Sequence, residues 1–228
     1  MLPDMAKHYG QYCPVAHALE LVGERWSLLV VRELLGGPKR YTDLAGALPG
    51  IGTNILASRL RDLEKAGVVQ KRKLPPPAAA SVYELTAYGE ELREPLYSLG
   101  RWGARSLGPP TAADSLAPGW LVNAVRATCH DWEGRAKGVY TLRAGEDEVV
   151  TVSFDDGAPV ADPEPSADAT AFIETDPATL FCLASHEASV DESISAGTVK
   201  ITGDKAAARR FLSLFSFDDH PSRVVEHV

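Results

Sequence analysis

The sequence predicts an α+β protein with two domains, and three observations lead to this. The 228 residues, 45% hydrophobic and 24% charged, are enough for two modest hydrophobic cores. Apolar residues follow a helical period in the first half of the chain, and strand-like runs dominate the second half. The intervening Gly108–Ser115 segment is rich in Pro, Gly and Ala, which is typical of a linker. We therefore expect domains over residues 1–108 and 119–228, joined by a linker over residues 109–118.

The first domain begins with two helices. Their apolar residues recur at helical spacing: Val15, Leu19 and Val22, then Leu28, Leu29, Val31, Leu34 and Leu35. Gly36-Gly37-Pro38 ends the second helix, because two glycines followed by a proline do not continue one.

A tight turn then separates two further helices. A short helix is expected over Thr42–Ala47, and Leu48–Gly52 breaks it, since this segment contains one proline and two glycines. Thr53 or Asn54 can cap the next helix. The apolar residues expected to face the core from that helix are Ile55, Leu56, Leu60 and Leu63. Two helices joined by a glycine-containing turn predict a helix-turn-helix.

A hairpin and a last helix complete the first domain. Val68–Leu74 and Ser81–Leu85 read as two strands joined by a loop of Pro and Ala, which predicts a wing beside the helix-turn-helix. Thr86 is expected to open a helix whose apolar residues share one face: Leu92, Leu96, Leu99 and Trp102. Such an amphipathic helix, present after the module is complete, needs a partner.

The second domain alternates strands and helices. Strands are expected at Val139–Arg143, Val149–Phe154, Ala171–Glu174 and Val199–Thr202. Asp176 and Asp204 are expected to cap helices that run to Ala184 and Phe215. The acidic, proline-rich Asp155–Asp168 segment is interpreted as an exposed loop.

Charge is distributed unevenly over the chain. The net charge is -8, but residues 1–108 carry 14 Lys and Arg against 11 Asp and Glu, and the remaining residues carry 9 against 20. The first domain is therefore able to face phosphate, whereas the second should be repelled by it. An acidic total does not exclude DNA as a partner, because a binding face needs only local positive charge.

Short motifs follow one another between Tyr12 and Trp102. They are Cys13-Pro14, Gly23-Glu24-Arg25-Trp26, Lys39-Arg40-Tyr41, Leu48-Pro49-Gly50-Ile51, Leu56–Glu64 and Tyr83-Glu84-Leu85-Thr86. Together they closely resemble HxlR-type transcriptional regulators. The resemblance implies a homodimer that pairs through its first and last helices and reads a palindromic operator in double-stranded DNA, with half-sites about one helical turn apart.

The resemblance also implies DNA-contact residues. It places the N-terminal half of the second helix of the helix-turn-helix in the major groove, so the candidates for reading bases are Thr53, Asn54 and Ser58. The candidates for phosphate or base contacts are Lys39, Arg40, Arg59 and Arg61, joined by Lys71, Arg72 and Lys73 on the wing. The alternative interpretation of each is a solvated surface charge. The wing tip, Pro75–Ala80, lacks the arginine usual in the family, so we do not expect it to insert into the minor groove.

Three stretches of the second domain, Phe172–Asp176, Gly197–Asp204 and Phe211–Phe215, resemble the sterol-carrier-protein-like fold. That resemblance implies an apolar tunnel between sheet and helices, which here would hold a hydrophobic effector. The candidates for its wall are Trp120, Trp132, Tyr140, Phe154, Phe172, Phe181, Phe211 and Phe215. The alternative is that these aromatic residues are simply core.

The three cysteines suggest a second kind of sensor. Cys13 occupies the position where some HxlR-type members sense oxidants or electrophiles, as the resemblance implies, and a helix N-terminus favours a thiolate. The alternative is a small buried residue that anchors the N-terminus. Cys129 and Cys182 lie in apolar patterns and are expected in the core.

The leading hypothesis is a homodimeric, ligand-responsive DNA-binding regulator that acts as a repressor. Two alternatives remain open: a regulator switched through Cys13, and a lipid-binding carrier whose first half mediates assembly only. His130-Asp131 and His186-Glu187 supply neither three metal ligands nor a nucleophile with its base. We therefore expect no enzymatic activity, no metal and no cofactor.

The sequence also predicts where the protein resides. No apolar run approaches the roughly 20 residues that a membrane span needs. Met1–Asp4 lacks the basic and apolar regions of a signal peptide. We therefore expect a cytoplasmic protein that does not bind membranes.

Overall fold

The computed structural model describes residues 8–75, 80–111, 113–114, 116–131, 136–146, 148–154 and 159–218. They belong to two compact units, the first ending at Leu96 and the second beginning at Tyr97. This division falls inside a helix and precedes the expected linker, so the linker over residues 109–118 stays a prediction. The mixed α+β class is confirmed. None of the described helices is long and apolar enough to cross a membrane.

The first unit is mainly helical. Its elements are α1 (Pro14–Val22), α2 (Ser27–Leu34), α3 (Tyr41–Ala47), α4 (Thr53–Lys65), β1 (Val69–Lys73), β2 (Ser81–Leu85), α5 (Ala87–Glu90) and the start of α6 (Arg93–Ala104). The core lies among α2, α3 and α4. Its fully buried side chains include Val30, Val31, Leu34, Leu44, Leu56, Leu60 and Leu63. The helices expected from apolar spacing are therefore present.

The start of α4 differs from the prediction in two respects. Gly52, rather than Thr53 or Asn54, is the N-cap residue, and its carbonyl oxygen accepts the amides of Ile55 and Leu56 at 3.0 Å. Ile55 is 44% exposed and does not belong to the buried stripe. Successive residues are about 100° apart around a helix, so the stripe set by Leu56, Leu60 and Leu63 leaves Ile55 at its edge.

The helix expected from Thr86 onward consists of two helices. Thr86 caps α5, because its side chain accepts the amide of Gly89 at 3.0 Å. A turn at residues 91–92 then separates α5 from α6. Pro95 explains the break, since a proline lacks the amide donor and clashes with the preceding turn in a helix interior, yet fits the first turn of α6.

The second unit contains a five-stranded sheet of order β5-β4-β3-β6-β7. The strands are β3 (Gly138–Ala144), β4 (Glu148–Phe154), β5 (Val160–Asp162), β6 (Ala171–Thr175) and β7 (Lys200–Gly203). The helices of this unit after α6 are α7 (Trp120–Thr128), α8 (Pro177–Ala184), α9 (Val190–Ser195) and α10 (Lys205–Leu212). Strand β3 is antiparallel to β4 and parallel to β6. Asp176 and Asp204 cap α8 and α10 as predicted.

Part of the segment interpreted as an exposed loop is a strand. Val160–Asp162 forms β5, which pairs with β4 through Val152 and Ala161. Ala161 is buried between two exposed neighbours, so a single inward alanine is too short a pattern to be recognised from sequence. Residues 155–158 of the same predicted loop lie outside the described residues. The last helix ends at Leu212, and Phe215 instead bridges to Cys129.

Substitution of alanine for two glycines of the first unit is expected to change the free energy of unfolding in opposite directions. Alanine at Gly89 is expected to lower the free energy of unfolding by about 1–3 kcal/mol, because its methyl group would overlap the Val68 carbonyl oxygen. Alanine at Gly46, in helix α3, meets no atom within 4 Å and should raise it by about 0.5–1 kcal/mol. Urea unfolding of the full chain, followed by circular dichroism, measures both. Equal stabilities for the two variants would contradict the close approach at Gly89.

Candidate nucleic-acid interface

Helix α4 presents a polar face opposite its buried stripe. Leu56, Leu60 and Leu63 point into the core of the first unit. The residues on the opposite side recur at spacings of four, three and four, which places them along one line of the helix: Asn54, Ser58, Arg61 and Lys65. Ser58 is half-buried and the other three are exposed. The packing of the stripe therefore determines which side chains are offered to a ligand.

The first turn of α4 is held in place and open on its outer side. The hydroxyl of Tyr41 in α3 donates to the backbone carbonyl of Thr53 at 2.8 Å. Thr53 and Asn54 are exposed there, beside backbone amides that can donate hydrogen bonds to a phosphate at a helix N-terminus. Ile55 is a candidate that sequence reasoning missed, since an exposed aliphatic side chain in this position can contact a thymine methyl group. The sequence did carry a signal for this exposure, because Ile55 directly precedes Leu56 and so lies about 100° around the helix from the stripe of Leu56 and Leu60.

Arg59 is held within the first unit. One guanidinium nitrogen lies 3.2 Å from a carboxylate oxygen of Glu24 and 3.3 Å from one of Asp62, and the side chain is 13% exposed. It therefore joins α4 to the turn between α1 and α2. This placement favours a structural role over the predicted phosphate contact.

Lys39 and Arg40 are adjacent but differently placed. The ammonium group of Lys39 lies 2.8 Å from a carboxylate oxygen of the buried Glu33, whose other oxygen accepts from Arg32 at 2.7 Å. The backbone of Lys39 also pairs with Tyr83 of β2. Arg40 is exposed, and within the described part of the chain it forms no ion pair. Arg40 is therefore the better phosphate candidate of the two.

The wing carries its basic residues on two faces. Arg72 lies on one face, where it donates to both carboxylate oxygens of Glu84 at 2.9 Å and thereby lowers the pKa of that carboxyl. Lys71 and Lys73 lie on the other face, and the ammonium group of Lys71 is 5.5 Å from the ring centroid of Tyr83. The charge of Arg72 is thus largely balanced, whereas Lys71 and Lys73 remain available. Of the predicted wing tip, residues 76–79 lie outside the described residues.

The aromatic residues of the second unit do not form one wall. Tyr140, Phe154, Phe211 and Phe215 are buried and pack on one another, with Tyr140 and Phe211 stacked at 4.6 Å between ring centroids. These rings occupy the region between sheet and helix α10 where the tunnel was expected. Phe172 lies beneath the guanidinium of Arg143 on the sheet.

The other three predicted wall residues are placed differently. Trp120 and Phe181 line a separate cavity formed by α6, α7 and α8, with a volume of about 480 Å³. Trp132 lies outside the described residues.

The three thiols have different environments. Cys13 is the N-cap residue of α1 and is half-buried. Burial raises the pKa of Cys129 far above its usual range, and burial together with Glu187 and Asp176 raises that of Cys182. Neither of these two thiols is disposed to ionise at neutral pH. Cys13 therefore stays the candidate for any redox response.

The geometry of the first unit defines a class of protein. Helices α3 and α4, the turn between them and the basic hairpin after them form a winged helix-turn-helix, whose second helix offers an exposed polar face for the major groove. The model of the HxlR-like helix-turn-helix family matches residues 21–110. The chain belongs to this family.

Relatives of known name support the assignment. The uncharacterized HTH-type transcriptional regulator sll1512 of Synechocystis is 36% identical over 110 residues, which are 48% of this chain and 82% of the relative. YodB of Bacillus subtilis, also an HTH-type transcriptional regulator, is 32% identical over 98 residues, which are 42% of this chain and 88% of YodB. The solved structure of reduced YodB is 30% identical, covers 44% of this chain and all of that one, and has a TM-score of 0.38. Both sequence relatives are named as HTH-type transcriptional regulators, and DNA-binding transcription regulation is the activity of the family.

Arg40 and Lys39 provide a matched pair of variants. Arg40→Gln is expected to reduce the slope of log affinity against log salt by about 1 for a duplex of any sequence, with unchanged stability. Lys39→Gln is expected to lower the free energy of unfolding by about 1–3 kcal/mol, because Glu33 loses a charged hydrogen bond in a buried position. Fluorescence anisotropy over a salt series and urea unfolding measure the two effects. A stable Lys39→Gln protein with the same loss of slope would show that Lys39 binds phosphate.

Proposed function

We propose that the protein is a homodimeric, sequence-specific repressor whose affinity for its operator is changed by an apolar small molecule bound in the second unit. The observation that carries the DNA-binding part is the outward face of α4, with short polar side chains at its N-terminal half and cations at its C-terminal half. Short side chains allow close approach to base edges, while long cations reach the flanking phosphates.

In this proposal the N-terminal half of α4 enters the major groove. Asn54 reads an adenine through its amide, and Thr53 and Ser58 donate to or accept from neighbouring base edges. Ile55 contacts a thymine methyl group from the edge of the same surface.

Cations around α4 and on the wing then fix the position of the helix. Arg40, Arg61 and Lys65 contact phosphates on either side of the groove. Lys71 and Lys73 of the wing contact the adjacent backbone, which orients the module without adding sequence information.

Homodimerisation is supported by apolar side chains that the monomer leaves exposed. Val15 and Leu19 on α1 are 68% and 46% exposed, and Leu99 and Trp102 on α6 are 47% and 71% exposed. An exposed tryptophan at helical spacing from an exposed leucine is typical of a protein interface. A two-fold dimer built on these helices presents two copies of α4 to a palindrome.

A response to an effector requires that the ligand prefer one arrangement of the dimer. A ligand shifts operator affinity only through its differential affinity for the two states, which typically amounts to about 1–3 kcal/mol. The acidic excess of the second unit keeps that unit away from DNA, so its influence on the operator must pass through the dimer.

Selection from a random-sequence duplex library at near-physiological salt tests the proposal. The wild-type chain should enrich a palindrome, and Asn54→Ala should lose preference at one position in each half-site, at a cost of about 1–3 kcal/mol for the best sequence. Arg61→Gln is the matched control on the same face, because the loss of a phosphate contact weakens binding to every sequence alike. Absence of enrichment by the folded wild-type chain would reject sequence-specific recognition and favour the carrier hypothesis.

The dimer surface has its own test. Trp102→Glu should give a monomer at concentrations where the wild type is a dimer, because a carboxylate replaces a large exposed apolar side chain in the proposed contact. The affinity of this variant for the palindrome should fall, whereas its affinity for a single half-site should be unchanged. Val160→Glu, at a residue that is also exposed, should remain dimeric. Sedimentation equilibrium distinguishes these results, and a dimeric Trp102→Glu protein would place the interface elsewhere.

A further inference from the structure

The second unit contains a cavity that no part of the proposed DNA recognition uses. It lies among the second half of α6, the segment after it, α7 and α8, and its volume is about 480 Å³. Protein interiors have few voids larger than a water molecule, and cavities of roughly 300–1,000 Å³ are the size of small-molecule sites. The cavity is separate from the region between sheet and α10, which Tyr140, Phe154 and Phe211 fill.

Small residues at matching positions leave this space open. Gly100 and Ala104 lie one turn apart on α6 and line the cavity, and Ala124 and Ala127 line it from α7. Leucine at these positions would close the gap between the helices. Ala184 on α8 is a further small residue that lines the cavity.

Three aromatic rings complete the wall. They belong to Trp120, Phe181 and Phe217, and the last two pack on each other with ring centroids 5.0 Å apart. The other large lining residues are apolar as well, among them Leu116 and Leu180. Such a wall attracts an aromatic molecule through apolar burial and ring contacts.

The polar residues of the wall hydrogen-bond to the protein itself. Arg101, which is buried, donates to the carbonyl oxygen of Ala127 at 2.9 Å and to the hydroxyl of Ser98 at 2.8 Å. The hydroxyl of Thr128 donates to the Ala124 carbonyl at 2.8 Å. The carboxylate of Asp114 accepts from the amide and the hydroxyl of Thr111, each at 2.8 Å. The charged lining residues are one cation and one anion, Arg101 and Asp114, and the rest of the wall is mostly apolar, so the wall favours an uncharged ligand over an ionised one.

We propose that this cavity is the effector site and that the effector is a neutral aromatic small molecule. Its binding follows from the cavity alone, whereas its role as effector rests on the proposed function. The position of α6 supplies the coupling. Gly100 and Ala104 on one side of this helix line the cavity, while Leu99 and Trp102 on another side are exposed as the proposed dimer surface. A ligand that moves α6 therefore alters the surface through which two chains pair.

Titration of the full-length chain with the neutral fluorescent probe N-phenyl-1-naphthylamine tests the site. The wild type should bind the probe saturably with one site per chain. The double variant Ala124→Leu/Ala127→Leu and the single variant Ala104→Leu, from the opposite wall, should bind it about tenfold or more weakly. Ala206→Leu, an exposed alanine on α10, is the matched control and should bind as the wild type does.

A second measurement needs no substitution. Hydrogen exchange of the wild type should show probe-dependent protection in peptides from residues 100–110 and 120–128. Protection confined to other peptides, absence of saturable binding, or full binding by well-folded cavity-filled variants would each overturn the location.

The regulatory role is tested on the operator obtained by selection. The probe should change wild-type affinity by about 5- to 150-fold and leave the affinity of the cavity-filled variants unchanged. Probe binding in the cavity with no change in operator affinity would overturn the effector role. A chain that selects no operator but binds the probe would reject the proposed function and leave the binding site standing, so the two failures are distinguishable.

Discussion

The rotational setting of α4 is the constraint on which the DNA-binding surface depends. Leu56, Leu60 and Leu63 are fully buried, and this stripe fixes the helix about its own axis. A rotation by one residue, about 100°, would turn Ile55 and Asp62 outward and take Asn54 and Arg61 toward the core. Two polar contacts reinforce the setting, from Tyr41 to the backbone of Thr53 and from Arg59 to Glu24. The apolar packing of one face thus determines the chemistry of the other.

Acidic side chains decide which cations of the first unit are available. Glu33 holds Lys39, Glu24 and Asp62 hold Arg59, and Glu84 holds Arg72. Each pairing links two elements, so the carboxylates contribute to the fold as well as to charge balance. Arg25 lies exposed in the turn between α1 and α2, and five further cations outside these pairs lie on α4, at the start of α3 and on one face of the wing: Arg40, Arg61, Lys65, Lys71 and Lys73. Most of the described cations outside these pairs therefore lie on the surface proposed to contact DNA.

Local signals were sufficient for much of the fold. The buried stripe of α4, the caps at Asp176 and Asp204, and the runs rich in β-branched residues in β3 and β4 are all recorded within a few neighbouring residues. The break between α5 and α6 was not predicted, although Pro95 carried its signal. Helix α7 was missed because a glycine at positive φ precedes it and no side chain caps it.

The candidate site depended more on distant contacts. No spacing reveals that Glu33 is buried and captures Lys39, because the partners become close only after α2 and the following turn have packed. The cavity was missed for a related reason. Gly100, Ala104, Ala124 and Ala127 are ordinary small residues in sequence, and the space between them exists only once α6 and α7 face each other. The aromatic residues of the sequence predicted a cavity beside α10, but their own side chains pack on one another and fill that region.

Substitutions on helix α6 can affect either the cavity or the exposed apolar surface, because the two are formed by different sides of the helix. Its inward small residues and its outward Leu99 and Trp102 lie on different sides, and the residues proposed to read bases lie on another helix altogether. Substitution at Gly100 or Ala104 can thus reshape the cavity while leaving the operator sequence and the pairing surface untouched. With the cavity as the proposed effector site, paralogous chains that arise by gene duplication would acquire new inducers in single steps and keep the same operator.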